Sequence, residues 1–178
     1  MAFALVVTAC APPTETPDRA ILTAPDAGAP ENIAIPEGLT PAAADTFRRV
    51  KAAADAGDAA ALVAIAAESP GFAYSFGAED DFAAYVEAAR AAGRDPVAEL
   101  ALILSMSPGE TTLDGLRVFH WPYFYDWEAA RYTPEARADA ARIVGVEAAA
   151  QITDELAYLG PRAGFDENGQ WLFYVTGD

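Results

Sequence analysis

Apolar residues recur at helical spacing in several segments of the chain, and most of these segments begin at a residue that can cap a helix. Thr40-Pro41 is an example, because a hydroxyl accepts from free backbone N–H groups and proline suits the first helical position. The predicted helices begin at Thr40, Asp58, Phe82, Asp95 and Thr133, and the last runs to about Leu159 with Gly145 as a point where it can break.

Shorter segments carry the alternation that is typical of strands. The predicted strands are 72–76, 116–121, 162–166 and 170–176, and the last two flank Asn168-Gly169, a strong signal for a hairpin turn. Trp171, Phe173 and Val175 are expected to share one face of the last strand. The pattern predicts a single α+β domain over 39–178, with several helices packed on a small antiparallel sheet that ends in a C-terminal β-hairpin.

Residues 10–38 differ from this domain, since they hold six prolines and few large apolar side chains. Such a segment buries too little apolar surface to offset the entropy of ordering it, so we predict a disordered, Pro-rich tether. In the alternative interpretation, Ile33, Ile35 and Leu39 pack on the domain as an arm.

The segment Val7-Thr8-Ala9-Cys10 resembles the lipobox of bacterial lipoproteins, with an aliphatic residue followed by two small residues and a cysteine. The resemblance implies that Cys10 carries a diacylglyceryl thioether and becomes the first residue after cleavage. It also implies a membrane-anchored protein of the cell envelope. Ala11, rather than Asp, after the cysteine favours the periplasmic face of the outer membrane.

Residues 1–9 depart from this family, because a signal peptide needs a positively charged start and no Lys or Arg precedes Cys10. We interpret 1–9 as a truncated or atypical lipoprotein signal peptide, with a true start that lies upstream or a leader that has been trimmed. The alternative is a buried cysteine on a short strand, which Pro12-Pro13 would interrupt.

The net charge of −16 disfavours partners that are themselves anionic, so we exclude nucleic acid. His120 is the only histidine, and the chain has no phosphate-binding loop with lysine and no Gly-x-Ser-x-Gly motif. We therefore predict no metal and no cofactor.

One stretch, 119–128, is unusual because it concentrates aromatic side chains beside acids and the histidine. Rings can stack on the C–H faces of a sugar, which makes Trp121, Tyr123 and Trp127 candidate ligand-binding residues. The alternative is that these rings are ordinary core residues.

Candidate catalytic residues lie in the same stretch. Asp126 and Glu128 could act as the acid and base of a glycan-directed hydrolase, and His120 is a further candidate base. A triad of His120 with Ser75, Ser105 or Ser107 has no local support in the sequence, and a single histidine is more often structural.

The folded part, about 46–178, resembles a group of uncharacterised bacterial envelope proteins. The likeness lies in Ala56-Gly57-Asp58, in Ser75-Phe76-Gly77 before a helix, and in the closing strand from Gly169 to Asp178. The order of helices, sheet and a tryptophan-bearing last strand is also similar to the cone-shaped, nuclear-transport-factor-like fold. Neither resemblance assigns a role to a residue.

The leading hypothesis is therefore a non-enzymatic binding or accessory module, anchored to the membrane through the lipid on Cys10. Its expected partner is an envelope protein or the cell-wall glycan. The competing hypothesis is the glycan-directed hydrolase that uses Asp126 and Glu128.

Overall fold

The computed structural model describes residues 33–75, 81–153 and 156–177, so the predicted lipobox and most of the predicted tether lie outside the described residues. These ranges form six α helices, five β strands and a 3-10 turn at Ala129–Arg131. The helices are α1 (Pro41–Asp55), α2 (Ala59–Ala67), α3 (Phe82–Ala91), α4 (Pro96–Ile103), α5 (Pro134–Val144) and α6 (Val146–Ala150). The strands are β1 (Ala73–Tyr74), β2 (Gly109–Leu113), β3 (Leu116–Trp121), β4 (Arg162–Asp166) and β5 (Trp171–Val175).

The first five helices begin where the sequence predicts. Thr40, Asp58, Asp81, Asp95 and Thr133 each accept a hydrogen bond from a backbone N–H of the first turn. A cap of this kind typically stabilises a helix by about 1 kcal/mol. None of the described helices has the length and apolar composition needed to cross a bilayer.

The last predicted helix is shorter than expected. It breaks at Gly145, whose φ of 87° is outside the helical region, and α6 then ends at Ala150. The expectation that this helix runs to about Leu159 is wrong, because the described residues after Gln151, which include Leu156 and Leu159, are not helical. Both leucines are partly exposed.

All five strands belong to one sheet in the order β1-β5-β4-β3-β2. The α+β class and the C-terminal hairpin of β4 and β5 are confirmed. The sheet is mixed rather than purely antiparallel, since β1 pairs in parallel with β5. Because β1 has only two residues and lies on the edge of the sheet, its sequence carries no pattern that distinguishes a parallel from an antiparallel pairing.

Strand β2 was not predicted, because its residues Gly109–Leu113 are mostly polar and lie on the edge of the sheet. It pairs with β3 across a two-residue turn at Asp114 and Gly115, which both have positive φ. Asp-Gly between two extended segments is a hairpin signal, so this strand was recoverable from the sequence.

The hydrophobic core lies between the helices and one face of the sheet. Trp121 of β3 is fully buried there and stacks on Phe47 of α1, with ring centroids 5.2 Å apart. Trp171 and Tyr174 of β5 are also fully buried. The expected grouping of Trp171, Phe173 and Val175 on one face is wrong, because an irregularity in the β4–β5 pairing shifts the register by one residue.

The segment before α1 belongs to the folded domain. Ile33, Ile35 and Leu39 are partly buried and pack against the core. These contacts are those that the alternative interpretation as an arm expects. The apolar side chains of Ile33 and Ile35 supply the contact that a Pro-rich tether lacks.

Helix α1 is fixed to the turn of the C-terminal hairpin. The Thr40 hydroxyl donates to the Glu167 carbonyl and the Thr46 hydroxyl donates to the Gly169 carbonyl, both at 2.6 Å. Gly169 has a φ of 86°, and a Cβ there would lie 2.7 Å from the carbonyl oxygen of Ala42.

We expect Gly169→Ala to lower the free energy of unfolding by about 2–4 kcal/mol, since it adds backbone strain and a clash with backbone of α1. Gly57→Ala is the matched control, because Gly57 also has positive φ but its Cβ would meet no atom within 4 Å. That control should lose only about 1 kcal/mol. Urea denaturation measures both, and equal losses would show that the contact with α1 is not tight.

Candidate functional site

The site is built where the chain leaves β3. Trp121 and Pro122 are joined by a cis peptide bond, after which the Tyr125 N–H donates to the Pro122 carbonyl and the Trp127 N–H to the Phe124 carbonyl. These turns fold the aromatic stretch back onto the sheet. As a result, the Tyr125 ring packs edge-on against His120, with centroids 4.5 Å apart.

His120 lies on the opposite face of the sheet from Trp121, because neighbouring residues of a strand point to opposite faces. It pairs with Gly109 on β2 and Gly164 on β4. A Cβ on Gly109 would lie 2.1 Å from Cε1 of His120, so the imidazole occupies the space that a side chain at 109 would need. His120 is only 1% exposed.

The two ring nitrogens of His120 have different surroundings. Nδ1 lies 3.4 Å from the Pro122 carbonyl oxygen, which can only accept a hydrogen bond. Nε2 is buried and has no hydrogen-bond partner among the described residues, although Oδ2 of Asp126 lies 3.6 Å away. Burial lowers the pKa of His120 below its usual range, and the Asp126 carboxylate and the Pro122 carbonyl offset this only in part. The neutral ring with its proton on Nδ1 is therefore the form that fits this position.

An open cavity of about 790 Å³ adjoins His120. It lies between the aromatic stretch, the segment that connects α4 to β2, and one side of α5. Its lining residues are Ser105, Met106, Ser107, Pro108, Gly109, Glu110, His120, Tyr123, Asp126, Trp127, Arg131, Thr133, Glu135, Asp139 and Arg142.

On the side of the cavity formed by α5, the charged groups are largely paired with neighbouring side chains. The Tyr123 hydroxyl donates to Oδ2 of Asp139 at 3.2 Å, and Arg142 bonds to Oδ1 of the same carboxylate at 3.1 Å. Burial and the Asp139 carboxylate raise the pKa of Tyr123 to about 12. The Arg131 guanidinium lies 4.8 Å from the centroid of the Trp127 ring. Asp126 has no arginine or lysine within 4 Å among the described residues.

Four of the residues predicted to carry chemistry share this cavity: His120, Tyr123, Asp126 and Trp127. Trp121 does not, because it is fully buried in the core on the other side of the sheet. The expectation that Trp121 stacks on a ligand is therefore corrected, and for this ring the alternative of a core role holds.

Glu128 does not line the cavity. It is exposed and precedes the 3-10 turn as its N-cap residue. The predicted acid pair of Asp126 and Glu128 is thus not brought together in the cavity. The spacing of two residues could not show this, because the turn at 124–127 aims the two side chains independently.

A serine triad with His120 has no geometric support. Ser105 and Ser107 do line the cavity, but the Ser105 hydroxyl bonds to the Leu102 carbonyl. Ser75 lies elsewhere, with its hydroxyl on the Thr176 carbonyl. Both ring nitrogens of His120 face other groups, so neither is directed at a serine hydroxyl.

Sequence reasoning missed the wall that α5 contributes. Glu135, Asp139 and Arg142 recur at intervals of four and three residues, which places them on one side of a helix. That stripe was visible in the sequence, but a charged stripe is usually a solvated face. Only the fold shows that it faces the aromatic stretch.

Comparison with protein-family models gave no match, and comparisons with curated proteins and with solved structures gave no significant match. The resemblances to bacterial lipoproteins, to envelope proteins and to the cone-shaped fold stay predictions. Within the described ranges, no group of three or more His, Cys, Asp or Glu side chains is placed to hold a metal ion.

Burial of a neutral His120 makes stability depend on pH. Because the folded pKa is lower than the unfolded pKa, the unfolded state takes up the proton first, and stability is lost as pH falls below about 6.5. When the pH is lowered from about 7.5 to about 5.5, the free energy of unfolding of His120→Gln should fall by less than that of the parent protein. Urea unfolding at both pH values measures the difference, and parallel losses in the two proteins would contradict a neutral buried ring.

Proposed function

We propose that the protein is a lipid-anchored binding module of the bacterial cell envelope, and that the cavity beside His120 is its ligand site. The module is non-enzymatic in this proposal. Its partner is a component of the envelope, and the cell-wall glycan is the partner that the site chemistry favours.

One observation carries the proposal: Tyr123, Asp126 and Trp127 line one open cavity of about 790 Å³. Cavities of this size accommodate ligands the size of a sugar unit or a short peptide. Aromatic rings supply apolar contact area in such sites, and a few polar groups fix the orientation of the ligand. The wall around Tyr123 and Asp139 is held by hydrogen bonds, so it is largely formed before a ligand arrives.

The hydrolase alternative is supported less well. A two-carboxylate mechanism needs an acid and a base on opposite sides of the scissile bond. Asp126 lines the cavity but Glu128 does not, and both carboxylate oxygens of Asp139 are already bonded, to Tyr123 and to Arg142. Two further acids line the cavity: Glu110 is paired with Arg117, and Glu135 lies in the first turn of α5, outside the stretch that the hydrolase hypothesis used. We therefore favour binding without hydrolysis.

The membrane part of the proposal rests on the lipobox Val7-Thr8-Ala9-Cys10. A cysteine in this setting receives two or three acyl chains, which is enough for stable anchoring. The folded domain would then be presented on the periplasmic face of the outer membrane. The net charge of the whole chain, −16, favours solubility of the anchored protein.

We expect the full chain with Cys10→Ser to be retained by purified cell-wall sacculi, and Trp127→Ala to reduce this retention by about tenfold or more. Leu113→Ala is the control, because Leu113 is an exposed apolar residue that does not line the cavity. Co-sedimentation measures the bound fraction. If Trp127→Ala and Leu113→Ala are retained equally, the cavity is not the glycan site.

Lipidation is tested separately. Expressed in a bacterium behind an intact signal peptide, the parent chain should sediment with membranes and take up labelled palmitate. Cys10→Ser should take up no labelled palmitate, because it lacks the thiol that accepts the lipid. Palmitate uptake by Cys10→Ser equal to that of the parent chain would contradict the lipobox interpretation.

A further inference from the structure

Two hydrogen-bond acceptors face each other at the inner end of the cavity. The Pro122 carbonyl contact assigns the proton of a neutral His120 to Nδ1, so Nε2 carries a lone pair. Oδ2 of the Asp126 carboxylate lies 3.6 Å from this nitrogen and also only accepts. A buried acceptor without a donor is costly, so this pair of atoms is suited to a donor that serves both.

The geometry restricts what that donor can be. A nitrogen about 2.8 Å from each acceptor completes a triangle whose third side is 3.6 Å. Such a nitrogen needs two hydrogens, one for each acceptor. A ligand hydroxyl has a single hydrogen and can serve only one of them, whereas a water molecule or a primary amide has two and a primary ammonium has three.

Charge favours the same group. Asp126 has no cationic side chain of the described protein within 4 Å other than the imidazole itself, while Arg142 is taken by Asp139. Protonation of His120 would also neutralise the pair, but burial of the ring opposes it. A cation supplied by the ligand avoids placing the charge on the buried ring.

From this arrangement we infer that the cavity recognises a primary ammonium group, bound between the Asp126 carboxylate and Nε2 of His120. This inference rests on the proposed function and names the chemical class of its ligand. The Asp126 side chain is 35% exposed and lines the cavity, so it is the part of this pair that a ligand meets first. Trp127 and Tyr123 then contact the body of the ligand. An amino sugar and an amine-bearing peptide unit share this chemistry.

The test uses matched pairs of small probes on the full chain with Cys10→Ser. The first pair is glucosamine and N-acetylglucosamine, and the second is ethanolamine and N-acetylethanolamine. Within each pair, acetylation replaces the ammonium by a neutral amide with a single N–H and adds an acetyl group. The readout is the ¹⁵N chemical shift of the His120 ring nitrogens at pH 7.5, followed during titration, because a donor to Nε2 shifts that resonance.

We expect both amines to bind more tightly than their acetylated partners, by about tenfold or more, as is typical of a hydrogen bond to a charged group. A larger preference in the sugar pair would indicate an amino sugar, and a preference of similar size in both pairs would indicate the ammonium alone. Either result supports the inference. Equal affinities within both pairs, or no saturable shift of Nε2 with either amine, would overturn it.

Asp126→Asn should remove the preference for amines, since the amide keeps the shape of the side chain but not its charge. Glu128→Gln is the matched control, because Glu128 is an exposed acid in the same stretch that does not line the cavity. An unchanged preference in Asp126→Asn would overturn the inference. Retention by sacculi through Trp127 is a separate measurement. The proposed function of the cavity as a binding site therefore stands or fails independently of its preference for an ammonium group.

Discussion

The alternation of side chains along β3 is the constraint on which the rest of the structure depends. Trp121 points into the core and stacks on Phe47 of α1, whereas His120, its neighbour, points to the other face. One strand therefore supplies both one of the two buried tryptophans of the core and the buried imidazole of the site. Any shift of its register by one residue would exchange these two rings and lose both.

Two glycines make room for rings on the second face. Gly109 lies under the His120 imidazole, and Gly164 lies under the Phe173 ring, where a Cβ would come within 2.5 Å. The Tyr125 ring then packs edge-on against both of these rings. The aromatic stretch is thereby held against the sheet, which fixes the position of Asp126 relative to His120.

Two aspartates of the cavity have different roles, although both belong to a strongly acidic chain. Asp139 is held by Tyr123 and Arg142, so it acts as a structural part of the cavity wall. Among the described residues, the imidazole is the only basic side chain within 4 Å of the Asp126 carboxylate. A carboxylate beside an unpartnered buried nitrogen is therefore the feature that gives this cavity its chemical preference, rather than the net charge of −16.

The sequence by itself determined the helix starts and the C-terminal hairpin, because caps, turns and periodicity are local properties of the chain. It could not show that Trp127 lines the cavity while Trp121 does not, or that Asp126 does while Glu128 does not. The turns after Pro122 decide which of these side chains reach the cavity. The parallel edge strand, the shifted register of β5 and the wall from α5 were likewise decided by tertiary structure. Each of them depends on which distant segments meet, and no local pattern encodes that choice.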